Sequence, residues 1–112
     1  MEEIEKLVLE HGGQKFKGRD FRELLLPGVY VFMRDCRPVY IGYGKSLLHS
    51  ISRDPSKQYE RRRALETCQY VLLYPCVSEQ AARELERLMI QRCRPKANIV
   101  GKTGGQQTRA LR

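Results

Sequence analysis

The sequence has no run of about eighteen apolar residues, the length a helix needs to cross a bilayer, and no charged-then-apolar leader at Met1. Neither a membrane span nor a secretory signal is expected, and the reading is an intracellular protein, cytoplasmic or nuclear, with no membrane contact. Cysteine is sparse: Cys36, Cys68, Cys76 and Cys93 contain no C-x-x-C pair, and His11 and His49 are not spaced to complete a zinc site with them. Reduced thiols that mostly fill the core are expected. Gly44-Lys45-Ser46 lacks the leading glycine of a nucleotide P-loop, which excludes an ATP site of that kind. There is no internal repeat and no low-complexity tract, and 112 residues suffice for one domain with a single modest core. Acidic residues are missing from the end of the chain, none following Glu86.

What the sequence does have is a stretch, PGVYVFMRDCRPVYIG from Pro27 to Gly42, in which two short apolar runs each carry a tyrosine near a glycine. Val29, Val31 and Met33 alternate with Tyr30 and Phe32, and Val39 and Ile41 alternate with Tyr40, the period of strands with two unlike faces. The polar residues Arg34 to Pro38 between them predict a turn, and Pro38 suits the start of the second strand. The stretch reads as a β-hairpin. Pairing centred near Asp35 sets Tyr30 opposite Tyr40 and sends both phenols out of one face. Tyrosine is favoured in sheets in any case, so either one alone also reads as an ordinary strand residue.

Around the hairpin the pattern predicts further elements. Ile4, Leu7 and Val8 recur at helical spacing before Gly12-Gly13, giving a helix from about Glu2 to His11. Asp20 is placed to cap a short turn carrying Phe21, Leu24 and Leu25. Ser46 is placed to cap a helix with Leu47, Leu48 and Ile51 on one stripe, ending before Pro55. Its first-turn N–H groups, beside Lys45, are candidates to bind a phosphate. A polar loop runs from Asp54 into a short helix, Gln69 to Tyr74 forms a third strand, and Ser78 caps a last helix that ends before Pro95. On that helix Ala81, Ala82, Leu85, Leu88, Met89 and Cys93 share a face, with Glu86 on one rim and Glu84 on the other, and pattern alone does not choose between them. The fold class is α+β: a small three-stranded antiparallel sheet flanked by helices. The expected organisation is an N-terminal helical extension over 1–26, the main domain over 27–98 and a basic tail over 99–112.

A net charge of +8 points to a polyanionic partner, although charge alone does not separate nucleic acid from an acidic membrane surface. Arg53, Lys57 and Arg61-Arg62-Arg63 form one basic run, and every charged side chain from Arg87 to Arg112 is basic. A like-charged run by itself reads as a solvated face. Two of them flanking one site point toward phosphate.

Gly28-Val29-Tyr30 and Tyr40-Ile41-Gly42 resemble the two tripeptides that name the GIY-YIG nucleases, and Glu86, Pro95 and Asn98 are similar in spacing to that family's last helix and the segment after it. The resemblance covers roughly Pro27 to Asn98 and is to the N-terminal nuclease domain of bacterial excision-repair nucleases and to intron homing endonucleases. It implies a metal-dependent DNA endonuclease using one divalent ion, Mg2+ or Mn2+, with a place in repair, restriction or intron mobility. By the same resemblance Glu86 is the metal ligand, Tyr30 the candidate base and Tyr40 the orienting phenol. Gly28, Gly42 and Asn98 support the site. Lys45, Arg61, Arg62 and Arg63 are candidates to bind DNA phosphates. A tyrosine side chain ordinarily titrates near 10, so a phenol acting as base needs cationic help, from the metal or from Lys45. The family's phosphate-binding arginine falls on Ser50 here, one turn before Asp54, and Arg53 is the expected substitute. The rival readings are a catalytically degenerate domain that binds nucleic acid, and a basic domain that docks on an acidic protein. The expected partners are DNA and a protein that supplies target specificity, with the chain itself a monomer.

Overall fold

The computed structural model describes residues 2–18, 21–52 and 59–98. Its elements run α1 (Glu2–Glu10), a 3-10 turn (Phe21–Leu25), β1 (Gly28–Arg34), β2 (Arg37–Gly44), α2 (Leu47–Ser52), α3 (Tyr59–Thr67), β3 (Tyr70–Pro75) and α4 (Glu79–Cys93). The sheet is antiparallel throughout in the order β2-β1-β3, so β1 has a neighbour on both sides and is buried along its length up to Arg34. This is the expected α+β class. No helix among the described residues is long and apolar enough to cross a membrane.

The alternation in β1 sorts side chains into two layers. Val29, Val31 and Met33 face Ile4 and Val8 of α1 and Ala82, Leu85 and Met89 of α4. Tyr30 and Phe32 face the other way, onto Leu47 of α2 and Ala64 of α3. The N-terminal helix thus shares a core with α4, and the segment after it runs along the outer edge of β3, with Gln14 N–H donating to Pro75 O and Phe16 N–H to Leu73 O, both at 2.9 Å. That contact covers an edge that would otherwise present unpaired backbone groups. The last helix starts as its sequence predicts, with the Ser78 hydroxyl accepting from Ala81 N–H. It ends at Arg94, whose φ of 48° lies in the left-handed region and whose N–H donates to Ile90 O.

The hairpin closes differently from the expected centre. Arg34 pairs with Arg37 across a two-residue turn, and Asp35 and Cys36 both take positive φ, 52° and 61°, the pattern of a type I′ turn. A bulge between Phe32 and Met33 then adds one residue to β2, so that Phe32 pairs with Tyr40 and Tyr30 with Gly42. Tyr30 and Tyr40 therefore share a face but stand diagonally. The turn and the bulge each move the partner of Tyr30 by one residue, two in all, from Tyr40 to Gly42.

Tyr74 and Cys76 belong to the α1/α4 layer. Burial, helped by the Glu5 carboxylate, pushes the Tyr74 phenol up from 10.0 to about 12, and burial pushes the Cys76 thiol up from 9.0 to about 11. Both groups are kept neutral in the fold. The stability they contribute is complete below the unfolded values of 9.0 and 10.0 and is lost as pH rises through the folded ones. Thermal melts are expected to show a falling transition temperature from about pH 9 upward; a transition temperature constant to pH 12 would contradict this account.

Candidate active site

At the β2 edge a cleft of about 390 Å³ is lined by Tyr30, Tyr40, Tyr43, Lys45, His49, Ser50, Glu79 and Glu86, with Gly42 and Gly44 in its floor. The hairpin supplies the phenols, the start of α2 supplies His49 and Ser50, and α4 supplies both carboxylates. Tyr30 is buried and Tyr40 half-buried, with ring centroids 6.3 Å apart. Gly42 makes this possible: a Cβ there would overlap the Tyr30 ring and hydroxyl. Gly28 is constrained by a different neighbour, since a Cβ would lie 2.6 Å from the Tyr74 carbonyl oxygen.

Glu86, and not Glu84, is the rim carboxylate that lines the cleft. Glu84 pairs with Arg87 through two hydrogen bonds at 3.2 and 2.5 Å on the outer side of α4, and the Arg87 fork holds its carboxyl below the usual value. Glu79 lies seven residues before Glu86, two helical turns along the same flank, and is 3.9 Å from the Arg83 guanidinium. Arg83 in turn sits over the Tyr43 ring, 5.7 Å from its centroid.

Asn98 is buried at the free edge of β2. Its amide brackets one residue: Ile41 N–H donates to Asn98 Oδ1 and Asn98 Nδ2 donates to Ile41 O, both at 2.8 Å. The strand that carries Tyr40 is thereby held on the side where, among the described residues, no further strand pairs with it. Asn98→Ala leaves two buried backbone groups without partners and is expected to cost about 3 kcal/mol, measured by chemical denaturation. A loss below about 1 kcal/mol would show that water takes over both bonds.

Arg61, Arg62 and Arg63 do not share one face. Arg61 is 1% exposed. Its Nε donates to the Tyr30 hydroxyl at 3.0 Å and its Nη2 to the Ser50 carbonyl at 2.7 Å, and the guanidinium lies 5.3 Å from the Tyr30 ring centroid and 5.6 Å from that of Phe32. Nη1 is buried with no hydrogen-bond partner among the described residues. Arg61 is therefore no surface contact for DNA, as the run suggested, but a charge behind the first tyrosine. Arg62 is half-buried, and Arg63 is exposed beside a second cleft. A signal for Arg61 was present: it precedes Ala64, Leu65 and Cys68 by three, four and seven residues, which puts a cation on an apolar stripe.

One other expectation changes, and two lie outside the described residues. Arg53, the expected substitute for the arginine at position 50, lies outside the described residues, as does the basic tail. The N–H groups at the start of α2 do not stand ready for a phosphate, because Leu47 N–H donates to Leu26 O at 2.9 Å and His49 N–H to the Ser46 hydroxyl at 3.4 Å. Lys45 is exposed at the mouth of the cleft. Tyr43 and Glu79 were not anticipated by sequence. Glu79 carries a faint signal in its seven-residue spacing from Glu86.

A three-stranded antiparallel sheet whose hairpin presents two tyrosines to a glutamate on the last helix is the architecture of a GIY-YIG nuclease domain. The solved structures agree. The GIY-YIG N-terminal endonuclease domain of UvrC from Thermotoga maritima, bound to magnesium as its catalytic divalent cation, is similar at 26% identity and a TM-score of 0.56, over 74% of this chain and 99% of that one. An asparagine-to-alanine point mutant of the same domain is similar at 28% identity and a TM-score of 0.60, over 73% and 97% of the two chains. No protein-family model and no curated protein sequence matches the chain. By fold and by the order of its motifs, the chain is similar to the GIY-YIG nuclease superfamily.

Proposed function

We propose that the chain is a metal-dependent DNA endonuclease whose active site is the cleft between the hairpin and α4. The observation that carries this reading is the convergence of Tyr30, Tyr40, Lys45 and Glu86 on one cleft, with a guanidinium bonded to the Tyr30 hydroxyl from behind. The donors are of a kind that suits a divalent cation. Phenols and the carboxylates of Glu79 and Glu86 are all oxygen ligands, as Mg2+ or Mn2+ prefers, and among the described residues no group of three or more His, Cys, Asp and Glu side chains converges. Glu86 would hold such an ion, which keeps most of its water shell in a site with few carboxylates. The ion's chemistry is to screen the phosphodiester charge that repels a nucleophile.

The protein's own groups do the rest. Arg61 donates to the Tyr30 oxygen, so the remaining hydrogen-bonding capacity of that oxygen is directed at the cleft. There Tyr30, having given its own proton to solvent, takes the proton of the attacking water as the new P–O bond forms and the ester P–O bond breaks, and the leaving oxygen takes a proton from solvent. The guanidinium presents positive charge to the oxygen that must carry negative charge in order to accept this proton. Tyr40, diagonal to Tyr30, orients the water or a phosphate oxygen, and Lys45 at the mouth draws the backbone in. Asn98 keeps β2 in register with this set. The UvrC domain is described as an endonuclease with a catalytic divalent cation, and its similarity supports the same class of reaction here.

The experiment is incubation of the purified chain with linear and branched DNA in Mg2+ or Mn2+, then in chelator. Nicking that appears with metal and stops with chelator is expected. DNA binding without nicking under every metal condition would overturn catalysis and leave a degenerate binding domain, the reading that Ser50 in place of an arginine favours.

A further inference from the structure

We propose that a second cleft, at the turn end of the same sheet face, is a phosphate-binding site that holds the DNA strand beyond the position cut at the tyrosines. Only the location of the cut rests on the nuclease reading above. The cleft has a volume of about 430 Å³ and takes its charge from Arg34 of β1, Arg63 of α3 and Lys96 of the segment after α4, over a floor that includes Val39 and Ala64. Cations from three separate parts of the chain meet there, and among the described residues no carboxylate lines it. Asp35 lies 3.9 Å from Arg34, but that pair is solvent-exposed, and exposed pairs of this kind exchange readily for a stronger anion.

The line-up with the first cleft is what points to a nucleic-acid strand. Tyr30, Phe32 and Arg34 alternate in β1 and so stand in one column on one face. Four strand residues span about 13 Å, close to four base-pair steps of about 3.4 Å. The ring of Tyr40, which lines the first cleft, stacks on the buried ring of Phe32 at 5.7 Å, and Val39 beside it lines the second cleft. The bulge completes the second one: with the extra residue in β2, Val39 as well as Tyr40 packs on the tyrosine side of the sheet. Lys96 is fixed in place two residues before Asn98, which is anchored on Ile41. An extended polyanion reaches both clefts at once. The acidic patch of a folded protein has no need of this collinearity.

The test uses the double variant Arg34→Glu/Lys96→Glu, both changes being at exposed side chains. In chelator, titration of a fluorescein-labelled duplex is expected to give a dissociation constant at least about tenfold higher, and a slope of log affinity against log salt shallower by about 1.8, or about 0.9 for each lost phosphate contact. Circular dichroism and the thermal melt stay as in the wild type. With Mg2+ the KM for cleavage rises while kcat holds, and the difference vanishes on DNA too short to reach from Tyr30 to Arg34. An unchanged salt slope in the variant overturns the proposal, as does wild-type binding to poly-glutamate as tight as to DNA and lost in parallel with it. A shallower slope in a chain that never cuts DNA leaves the cleft standing and removes the nuclease reading; cutting with an unchanged slope does the reverse. Absence of DNA binding in the wild type overturns both.

Discussion

Arg61→Met is expected to lower the turnover of DNA cleavage by about a hundredfold while leaving the melting temperature close to that of the wild type. The two halves of this result have different causes. A guanidinium that is 1% exposed and has one nitrogen unpaired among the described residues has lost most of its hydration without full replacement. Removing such a desolvated charge offsets the hydrogen bonds lost at the Tyr30 hydroxyl and the Ser50 carbonyl, so the net change in stability is small. Methionine can fill the space between the Tyr30 and Phe32 rings. Activity falls because the Tyr30 oxygen loses its donor and the nearby positive charge. Arg61→Lys restores charge without the planar fork that reaches Tyr30 and Ser50 together, so it is expected to recover only part of the turnover. Ser50→Arg, which puts back the family's arginine, is expected to rescue Arg61→Met in part. An Arg61→Met enzyme with wild-type kcat would show that Arg61 only fills the core.

Glu86→Gln is expected to reduce metal-dependent cleavage by about a thousandfold, equivalent to about 4 kcal/mol of transition-state stabilisation. The amide keeps the size of the side chain and removes its charge, so the fold and DNA binding are retained. Calorimetric titration with Mn2+ alone provides a readout independent of cleavage: heat seen with the wild type should be absent from the variant. Glu84→Gln is the control on the opposite rim. Its carboxylate is engaged with Arg87 on the exposed side of α4, and a surface pair contributes about 1 kcal/mol or less, so cleavage should be unchanged. Wild-type cleavage in Glu86→Gln together with a loss in Glu84→Gln would reverse the assignment.

Much of this was legible in the sequence because it depends on local periodicity. The alternation in VYVFM and the three-to-four spacing in α1 and α4 report which side of each element meets the core, and burial follows that pattern closely. The capping serine of α4 was legible for the same reason, since its hydroxyl serves an N–H three residues away. The pairing of Tyr30 with Gly42 was not. It depends on the two-residue turn at Asp35-Cys36 and on one bulged residue, and either choice of pairing preserves the alternation that the sequence shows. The role of the arginine run was also hidden, because a charge count treats Arg61, Arg62 and Arg63 alike while α3 turns them about 100° apart.

The sequence by itself determined the α+β class, the hairpin with its two tyrosines on one face, and the two candidate glutamates at the rims of the last helix. Those properties follow from residues within a few positions of one another. The resemblance in motif spacing already picked Glu86 over Glu84, but only the tertiary structure decided that Asn98 clamps Ile41 and that an arginine from α3 stands behind Tyr30 where α2 carries serine. Each of these is a contact between segments far apart in the chain. Its outcome rests on how helices lie across the sheet and on which charges that packing can bury, and neither is encoded in the period of a single segment.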